Sequence, residues 1–279
     1  MSTQHSGISN EHIAFIGGGN MASAIIGGLL KCGLPASQIL VVEPFAEQRA
    51  RLLLQFKVSV SEQPDAALER ASLVIWAVKP QTFSEAAAQT RAYTSQALHL
   101  SVAAGIRSSS IAAWLGSERV VRAMPNTPAL IGKGMTALFA RPAVTNADRL
   151  TVAQVIQTTG DFLWLDQETQ LDAVTALSGS GPAYVFYFIE AMIEAGIDMG
   201  LSREQAHQLA VKTFTGASEL AQSSDEAPEV LRARVTSKGG TTYAALTSLE
   251  QDDVKQQFVR AMQAARQRAS ELGDEFSAA

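Results

Sequence analysis

The chain has 279 residues, which is long for a single hydrophobic core and suits two domains. Hydrophobic residues make up 47% of it and charged residues 18%, so we expect a folded protein with a large buried interior. The net charge of −5 and the lack of a basic tract argue against nucleic acid as a partner.

The sequence also bears on membranes and on the redox environment. It has no apolar run of about 18 residues or more, so no membrane span is expected. Cys32 is the single cysteine, which excludes a disulfide within the chain and fits a reducing, cytoplasmic location. Residues 1–11 are largely polar and lack the apolar core of a signal peptide, so they are predicted to form a disordered tail.

A short apolar run, Ile13–Ile16, is followed at once by three glycines and then by small and apolar residues at helical spacing over Asn20–Leu30. This succession predicts a buried strand, a tight turn and a helix. In that context the pattern G-x-G-x-x-G/A indicates dinucleotide binding. Gly17, Gly19 and Ala22 fill the pattern. Their predicted roles are a tight turn, close approach to a pyrophosphate, and close packing of the helix on the strand.

The next features along the chain concern the same cofactor. The backbone N–H groups of Gly18–Met21 lie at a helix start and are predicted to be free for phosphate oxygens, unless the turn only connects strand to helix. A second apolar run, Ile39–Val42, ends at Glu43, near the place where an acid binds the adenosine ribose and disfavours a 2′-phosphate. Arg49 and Arg51 follow in the next predicted helix and partly offset this charge. The alternative is that Glu43 is a solvated loop carboxylate.

Strands and helices alternate as far as about residue 166, which predicts a parallel, doubly wound sheet of the α/β class. The predicted strands are Ile13–Ile16, Ile39–Val42, Val58–Val60, Leu73–Val78, Ala97–Ala103, Arg119–Ala123, Gly134–Ala140 and Asp161–Leu165. The last two are hairpin-like pieces that bracket a helix and extend the sheet. Ligands of such sheets bind outside the carboxyl ends of the strands. The ends that form the predicted cofactor edge are Gly17–Met21, Glu43, Ala77–Pro80, Val102–Gly105 and Met124–Thr127.

The remainder of the chain is helical in pattern, so residues 12–166 are predicted to form a Rossmann-type domain and residues 167–279 an all-α domain. Ser202, with Gln205 three residues later, predicts a capping box, and Thr241 or Thr242 is predicted to cap a later helix. The helix predicted over Ala183–Met199 is apolar on most of its faces. Burial of these faces against a second subunit predicts a homodimer, unless the helix is buried within its own domain.

Six motifs follow one another along the chain. They are IGGGNMA at Ile16–Ala22, AVKP at Ala77–Pro80, VAAGI at Val102–Ile106, MPNTPA at Met124–Ala129, LSGSGPAY at Leu177–Tyr184 and VTSKGGTT at Val235–Thr242. In this order, and over about residues 12–275, the chain resembles the pyrroline-5-carboxylate reductases. The last two motifs lie outside any general dinucleotide-binding pattern, which makes the resemblance specific.

The resemblance implies that hydride passes from NADPH or NADH to C5 of the cyclic imine 1-pyrroline-5-carboxylate, which gives L-proline in the last step of proline biosynthesis. It also implies a helical homodimer and, in some members, a decamer of five dimers. The implied cofactor positions are Ile16, Gly17, Gly18, Gly19, Asn20, Met21, Glu43, Ala77, Val78, Lys79, Pro80, Val102, Ala103, Ala104 and Asn126. The implied substrate positions are Glu168, Thr236, Ser237, Gly239, Gly240, Thr241 and Thr242, with the Thr242 hydroxyl beside the ring nitrogen as the catalytic group.

One position departs from the family pattern. The usual loop resembles T-S-P-G-G-T-T, and here Lys238 replaces the proline. Lysine leaves the loop freer than proline does and adds a positive charge that can aid capture of an anionic substrate. Free N–H groups and a hydroxyl among Ser237, Gly239, Gly240 and Thr241 are expected to hold the substrate carboxylate at a helix start, unless they only cap that helix.

Imine reduction needs little acid–base help from the protein, because a protonated C=N group is already electrophilic and the cofactor carries the hydride. The four histidines, His5, His12, His99 and His207, lie outside the motifs and are interpreted as surface or packing residues. No metal-ligand spacing occurs. Two competing hypotheses are a 3-hydroxyacid dehydrogenase relative, which needs a lysine in the helical domain, and a nucleotide-binding regulator without turnover.

Overall fold

The computed structural model describes residues 11–277, so His5 and the predicted tail, apart from its last residue, lie outside the described part. Within that part, eight strands form a single sheet. They are β1 (Ile13–Ile16), β2 (Ile39–Val42), β3 (Ser59–Ser61), β4 (Leu73–Trp76), β5 (Leu98–Ser101), β6 (Val120–Met124), β7 (Gly134–Ala140) and β8 (Gly160–Trp164). Their order across the sheet is β3-β2-β1-β4-β5-β6-β7-β8.

Within residues 11–277, α-helices pack on the sheet and form most of the chain that follows it. They are α1 (Asn20–Lys31), α2 (Ala46–Phe56), α3 (Pro80–Thr90), α4 (Ser108–Leu115), α5 (Asn146–Gln157), α6 (Gln170–Val174), α7 (Gly181–Asp198), α8 (Arg203–Ser223), α9 (Pro228–Arg234), α10 (Thr241–Gln251) and α11 (Val254–Ser277). Buried apolar residues form one cluster around Phe15 and Ile25 and a second around Trp76 and Phe83. A sheet with a core on each face, followed by helices, is the predicted Rossmann-like α/β architecture. Among residues 11–277, no helix combines the length and the apolar character that crossing a membrane requires.

Strands β1 to β6 run parallel, as predicted. Strand β7 lies antiparallel to β6, and β8 lies parallel to β7. The prediction that the last two strands extend the sheet is therefore confirmed, but the hairpin-like description is wrong. Two parallel strands need a crossover connection, and α5 provides it.

The strand ends that form the predicted cofactor edge are level with one another. Ile16 at the end of β1 pairs with Val42 on one side and with Trp76 on the other. The next residues continue the hydrogen bonding, because the Gly17 N–H donates to the Val42 carbonyl and the Ala77 N–H to the Ile16 carbonyl, both at 2.8 Å. The loops that follow β1, β2 and β4 consequently leave from one edge of the sheet.

The chain divides into two compact units. The first consists of two segments, the chain up to Gly179 and the C-terminal part from Ala265 onward. The second comprises Ser180–Ala264. The predicted boundary after residue 166 lies just past the last strand, β8, which ends at Trp164, whereas the first unit extends further, to Gly179. Helix α6 and the π-helix Thr175–Gly179 belong to the first unit, in which Leu171 is only 1% exposed.

The two predicted helix caps have different outcomes. The capping box at α8 is confirmed, because the Ser202 hydroxyl accepts from the Gln205 N–H at 3.2 Å and the Gln205 side chain accepts from the Ser202 N–H at 2.9 Å. The cap predicted at Thr241 or Thr242 is wrong. Helix α10 begins at Thr241 with Gly240 before it, and no side chain caps it.

His99 lies on β5 without solvent exposure, and its Nδ1 accepts a hydrogen bond from the Trp76 indole N–H at 3.1 Å. Burial, with a smaller contribution from the charge of Arg119, lowers the pKa of the His99 imidazole to about 4. The neutral imidazole is thus part of the core, and the interpretation of His99 as a packing residue is confirmed.

We expect acid to destabilise the protein through His99. The imidazole binds a proton below pH 6.5 in the unfolded chain but only below about pH 4 in the folded protein. Its contribution to stability is complete above pH 6.5 and is lost as the pH falls to about 4, by about 3 kcal/mol in all. His99→Gln keeps an acceptor for Trp76 and cannot titrate, so it should flatten the pH dependence of urea unfolding. The exposed His207→Gln serves as the control, and equal pH slopes in both variants would contradict this account.

Candidate active site

Gly17 and Gly19, both in the turn after β1, have different structural roles. Gly17 has a φ of +92°, and a Cβ added to it would lie 2.7 Å from the carbonyl oxygen of Ala77. Gly19 has an ordinary φ of −68°, and nothing lies within 4 Å of the place where its Cβ would be. Gly17 is therefore required by the protein's own packing, as predicted for the tight turn. Gly19 leaves open space at the helix start, as close approach of a pyrophosphate requires.

The start of α1 has the features of an anion site. No side chain caps the helix, and its hydrogen bonding begins with the Ser23 N–H donating to the Gly19 carbonyl at 2.9 Å. The N–H groups of Asn20 and Met21 come before that bond and have no helical acceptor. The prediction that Gly18 is also free is wrong, because its N–H donates to the Glu43 carboxylate at 2.8 Å.

Glu43 is 6% exposed, which excludes the alternative of a solvated loop carboxylate. One carboxylate oxygen accepts from the Gly18 N–H, and the other accepts from the Phe45 N–H at 3.0 Å. The Arg49 guanidinium donates to the Glu43 and Pro44 carbonyls at 2.9 and 2.7 Å and to Glu62 at 3.0 Å. Glu43 therefore braces the glycine turn, and Arg49 holds the loop without pairing with the Glu43 carboxylate.

The loops after β4 and β5 complete this edge of the first unit. Lys79 precedes α3 and Pro80 is its first residue, which suits a proline because no N–H is needed there. After β5, the Val102 N–H donates to the Trp76 carbonyl at 3.1 Å, and the Ala103 N–H to the Ser101 hydroxyl at 3.3 Å. The predicted cofactor residues at the ends of β1, β2, β4 and β5 thus lie along one edge of one sheet.

The side chain of Asn126 forms two hydrogen bonds within the first unit. Its side-chain oxygen accepts from the Met135 N–H at 2.9 Å, and its amide nitrogen donates to the Ser178 carbonyl at 3.2 Å. Asn126 thereby links the loop after β6 to β7 and to the SGSG segment. A cofactor contact from Asn126 stays a prediction.

Glu168 also makes its polar contacts within the first unit. Its carboxylate accepts from the N–H and the hydroxyl of Ser108, both at 2.6 Å, and forms an ion pair with Arg122 at 2.7 Å. Burial opposes the negative charge, but the hydrogen bonds from Ser108 and Arg122 outweigh it, so the pKa of Glu168 lies below its ordinary value. Ser108 and Arg122 lie in none of the six motifs, and no local pattern in the sequence marks them as partners of Glu168.

The loop Thr236–Thr242 belongs to the second unit. The Gly240 N–H donates to the Ser237 carbonyl at 3.0 Å, so it is not free for a ligand, contrary to expectation. Gly239 has a φ of +76° at the third position of this turn, and Lys238 occupies the second. Proline is common at that second position, so the lysine fits the same turn without its rigidity.

No group of three or more His, Cys, Asp or Glu side chains in the described residues 11–277 is placed to hold a metal ion.

Two protein families match this chain, each over a different part of it. Residues 12–105 match the family described as NADP oxidoreductase coenzyme F420-dependent, and residues 168–272 match the family described as pyrroline-5-carboxylate reductase dimerisation.

Two bacterial relatives and two solved structures extend the match to nearly the full length. The pyrroline-5-carboxylate reductases of Pseudomonas aeruginosa and Haemophilus influenzae are 45% and 44% identical, covering 96% and 95% of this chain and 99% and 98% of the relatives. The Coxiella burnetii enzyme superposes with a TM-score of 0.87 at 35% identity, covering 94% of this chain and 98% of the other. The Plasmodium falciparum pyrroline carboxylate reductase, solved with NADP bound, gives 0.86 at 28% identity, covering 95% and 99%. The chain therefore belongs to the pyrroline-5-carboxylate reductase family.

Proposed function

We propose that this protein reduces 1-pyrroline-5-carboxylate to L-proline, with NADPH or NADH as hydride donor, in the last step of proline biosynthesis. One observation carries the proposal: a chain of this family has both the uncapped, Glu43-braced glycine turn and the loop Thr236–Thr242, which differs from the family pattern only in Lys238. The competing dehydrogenase and regulator hypotheses have no comparable observation in their favour.

The edge of the sheet in the first unit fits a dinucleotide. The open space at Gly19 and the N–H groups of Asn20 and Met21 suit a pyrophosphate, and Glu43 lies at the end of the neighbouring strand β2, where a ribose is bound in such folds. Ala77–Pro80 and Val102–Ala104 follow β4 and β5 on the other side of β1. When bound, the reduced nicotinamide supplies the hydride.

The protein's own residues then bind and orient the imine. The N–H groups of Ser237, Gly239 and Thr241 are proposed to hold its carboxylate at the start of α10, where the helix dipole favours an anion. Lys238 adds a positive charge to that loop. The Thr242 hydroxyl is proposed to accept from the iminium N–H and so to orient the ring for hydride transfer to C5. The imine takes its proton from water before it binds.

We further propose that the protein is a homodimer in the cytoplasm, and that five such dimers can form a decamer. Helix α7 leaves Phe186 and Tyr187 59% and 68% exposed in the single chain. Burial of such aromatic area is favourable, and a second copy presents the same helix. Light scattering at micromolar concentration should give at least twice the mass of one chain, and a stable, active monomer would refute the dimer.

The proposed reaction is tested by following the nicotinamide absorbance of NADPH, and separately of NADH. Purified protein should consume the reduced cofactor when the cyclic imine is added, and L-proline should appear in equal amount. Protein that is folded by circular dichroism, yet shows no imine-dependent loss of absorbance with either cofactor, would rule the proposal out.

Glu43 is expected to set the cofactor preference. Its charge opposes a 2′-phosphate, so Glu43→Gln should raise the NADPH-to-NADH ratio of kcat/KM by about tenfold, while one side-chain oxygen still accepts from the backbone. Glu47→Gln is the control, because it removes the same charge from an exposed position on the adjoining helix α2. A ratio that does not change, or that falls, would mean that Glu43 does not face the ribose.

A further inference from the structure

The carboxylate of Glu168 is held by three contacts that leave it one acceptor position. Its Oε1 accepts from the Ser108 N–H at 2.6 Å and from the Arg122 guanidinium at 2.7 Å, and its Oε2 accepts from the Ser108 hydroxyl at 2.6 Å. An ionised carboxylate offers about four lone-pair positions. The contacts with residues 11–277 thus use three of them, and one position on Oε2 remains for a ligand.

The two partners are more deeply buried than Glu168 itself. Ser108 is 1% exposed and Arg122 is 5% exposed, whereas the side chain of Glu168 keeps 20% of its exposure. Water therefore competes little for the bonds that orient the carboxylate, and a ligand can still reach it. Charge-assisted hydrogen bonds of this length are among the stronger ones in proteins.

Both partners belong to the rigid framework of the first unit. Arg122 lies within β6 and pairs with Ser101, the last residue of β5. Ser108 is the first residue of α4, and its hydroxyl also accepts from the Arg141 guanidinium at 3.3 Å. A strand residue and a helix start have little freedom to move, so the Glu168 carboxylate is fixed relative to the sheet.

This attachment lies at the predicted cofactor edge. Arg122 comes two residues before Met124, the end of β6, and Ser108 follows the loop that leaves β5. Strand β2, with Glu43 at its end, lies on one side of β1, and β4, β5 and β6 lie on the other. A dinucleotide whose adenosine lies on the β2 side therefore places its nicotinamide half toward the ends of β4 and β5. The imine must meet the nicotinamide, so a carboxylate beside the ends of β5 and β6 is well placed to meet the imine.

Arg122 is the cation that offsets the charge of Glu168, because the other charged groups around them pair with one another. Those pairs are Arg107 with Asp172 and Asp274, at 3.2 and 3.5 Å, and Arg141 with Glu118 at 2.7 Å. Burial opposes the negative charge of Glu168, but the hydrogen bonds from Ser108 and Arg122 outweigh it and lower the pKa of the carboxyl group. Glu168 is therefore an anion at neutral pH, and a nearby anion favours the protonated, cationic form of the imine.

We propose that Arg122 and Ser108 are positioning residues for the substrate, which hold the Glu168 carboxylate in one orientation so that its remaining Oε2 lone pair meets the protonated imine directly or through one water. The inference rests on the proposed function and on the substrate position that the family resemblance implies for Glu168. Arg122 and Ser108 act through this carboxylate and are not proposed to touch the substrate.

Kinetics of the full-length protein test the proposal. Arg122→Gln removes the charge and Ser108→Ala removes the hydroxyl, and each variant should raise the KM for the imine by about tenfold. The Kd for NADPH, measured by calorimetric titration without substrate, should change less than about twofold. Arg122→Lys keeps the charge and should recover most of the loss. If Arg122→Gln does not fold, Ser108→Ala and Arg122→Lys carry the same test.

Coupling to Glu168 separates positioning from a structural role. Glu168→Gln should itself raise the KM for the imine, and adding Arg122→Gln to it should raise that KM less than about twofold further, because Arg122 acts only through this carboxylate. Arg119→Gln is the matched control. Arg119 forms an ion pair of the same length, 2.7 Å, with Asp148 in the same unit, and its replacement should leave the KM for the imine unchanged.

A titration that needs no turnover tests the same inference. NMR of protein carrying isotope-labelled glutamate carboxyl groups, with Glu168→Gln for the assignment, gives the pKa of Glu168. This pKa lies below its ordinary value in the wild type and should rise by about one unit in Arg122→Gln, because an opposite charge is removed while the burial stays. The acid limb of kcat/KM for the imine that belongs to Glu168 should move to higher pH by the same amount.

Three results would overturn the inference. The first is a KM for the imine that is unchanged in both Arg122→Gln and Ser108→Ala. The second is full additivity of Arg122→Gln with Glu168→Gln. The third is a pKa of Glu168 that does not move when Arg122 is replaced. A wild type that binds NADPH but never turns over the imine overturns the proposed function instead, and the titration alone then decides whether Arg122 controls the Glu168 carboxylate.

Discussion

Gly17→Ala should abolish measurable cofactor binding and destabilise the protein even without cofactor. The new Cβ would meet the Ala77 carbonyl oxygen at 2.7 Å and the Val78 side chain at 3.0 Å, and the backbone φ of +92° is unfavourable for alanine. Overpacking of this kind costs about 1–3 kcal/mol, and a strained backbone conformation adds about 1 kcal/mol or more. Calorimetric titration with NADPH and a thermal melt of the free protein measure the two effects.

Gly19→Ala is the matched control for that prediction. Its Cβ would meet nothing within 4 Å and its backbone φ of −68° suits alanine, so the melting temperature of the free protein should hardly change. The added methyl group would nevertheless occupy the space proposed for the pyrophosphate, so NADPH affinity should fall by about tenfold or more. If Gly19→Ala binds NADPH as the wild type does, the pyrophosphate does not lie over the start of α1.

Thr242→Ala should lower kcat/KM for the imine by about tenfold to a hundredfold, because it removes a hydrogen bond to a charged group that is worth roughly 1.5–3 kcal/mol. The structure removes the main competing explanation. Thr242 is the second residue of α10, it does not cap the helix, and its hydroxyl makes no hydrogen bond to any residue among 11–277. The melting temperature and the KM for NADPH should therefore stay close to the wild-type values.

Two further variants make the Thr242 prediction specific. Thr242→Ser keeps the hydroxyl and should recover most of the activity. Thr247→Ala, one turn later on α10, removes a hydroxyl that bonds only to the Tyr243 carbonyl at 2.8 Å, and it should leave kcat/KM unchanged. Full activity in Thr242→Ala would exclude a role for this hydroxyl in orienting the ring.

The amino-acid sequence by itself determined the features that depend on residues close together in the chain. The alternation of apolar runs with helical segments predicted the parallel strands of the sheet. The glycine pattern after β1 predicted the turn and the helix start, and Ser202 with Gln205 predicted the capping box. These features are readable because strand periodicity, glycine φ values and helix caps are set within a few residues.

Only the tertiary structure decided which distant groups meet. The carboxylate of Glu43 takes the N–H of Gly18, which lies 25 residues earlier, and Glu168 takes the N–H and hydroxyl of Ser108, 60 residues earlier. A Cβ on Gly28 would lie 2.5 Å from the hydroxyl of Thr158, and no motif marks that close contact. Contacts of this kind depend on the packing of whole elements, and packing leaves no local pattern in the sequence. The partners of a buried carboxylate are therefore determined by the three-dimensional packing of the elements that carry them, and not by the neighbouring sequence.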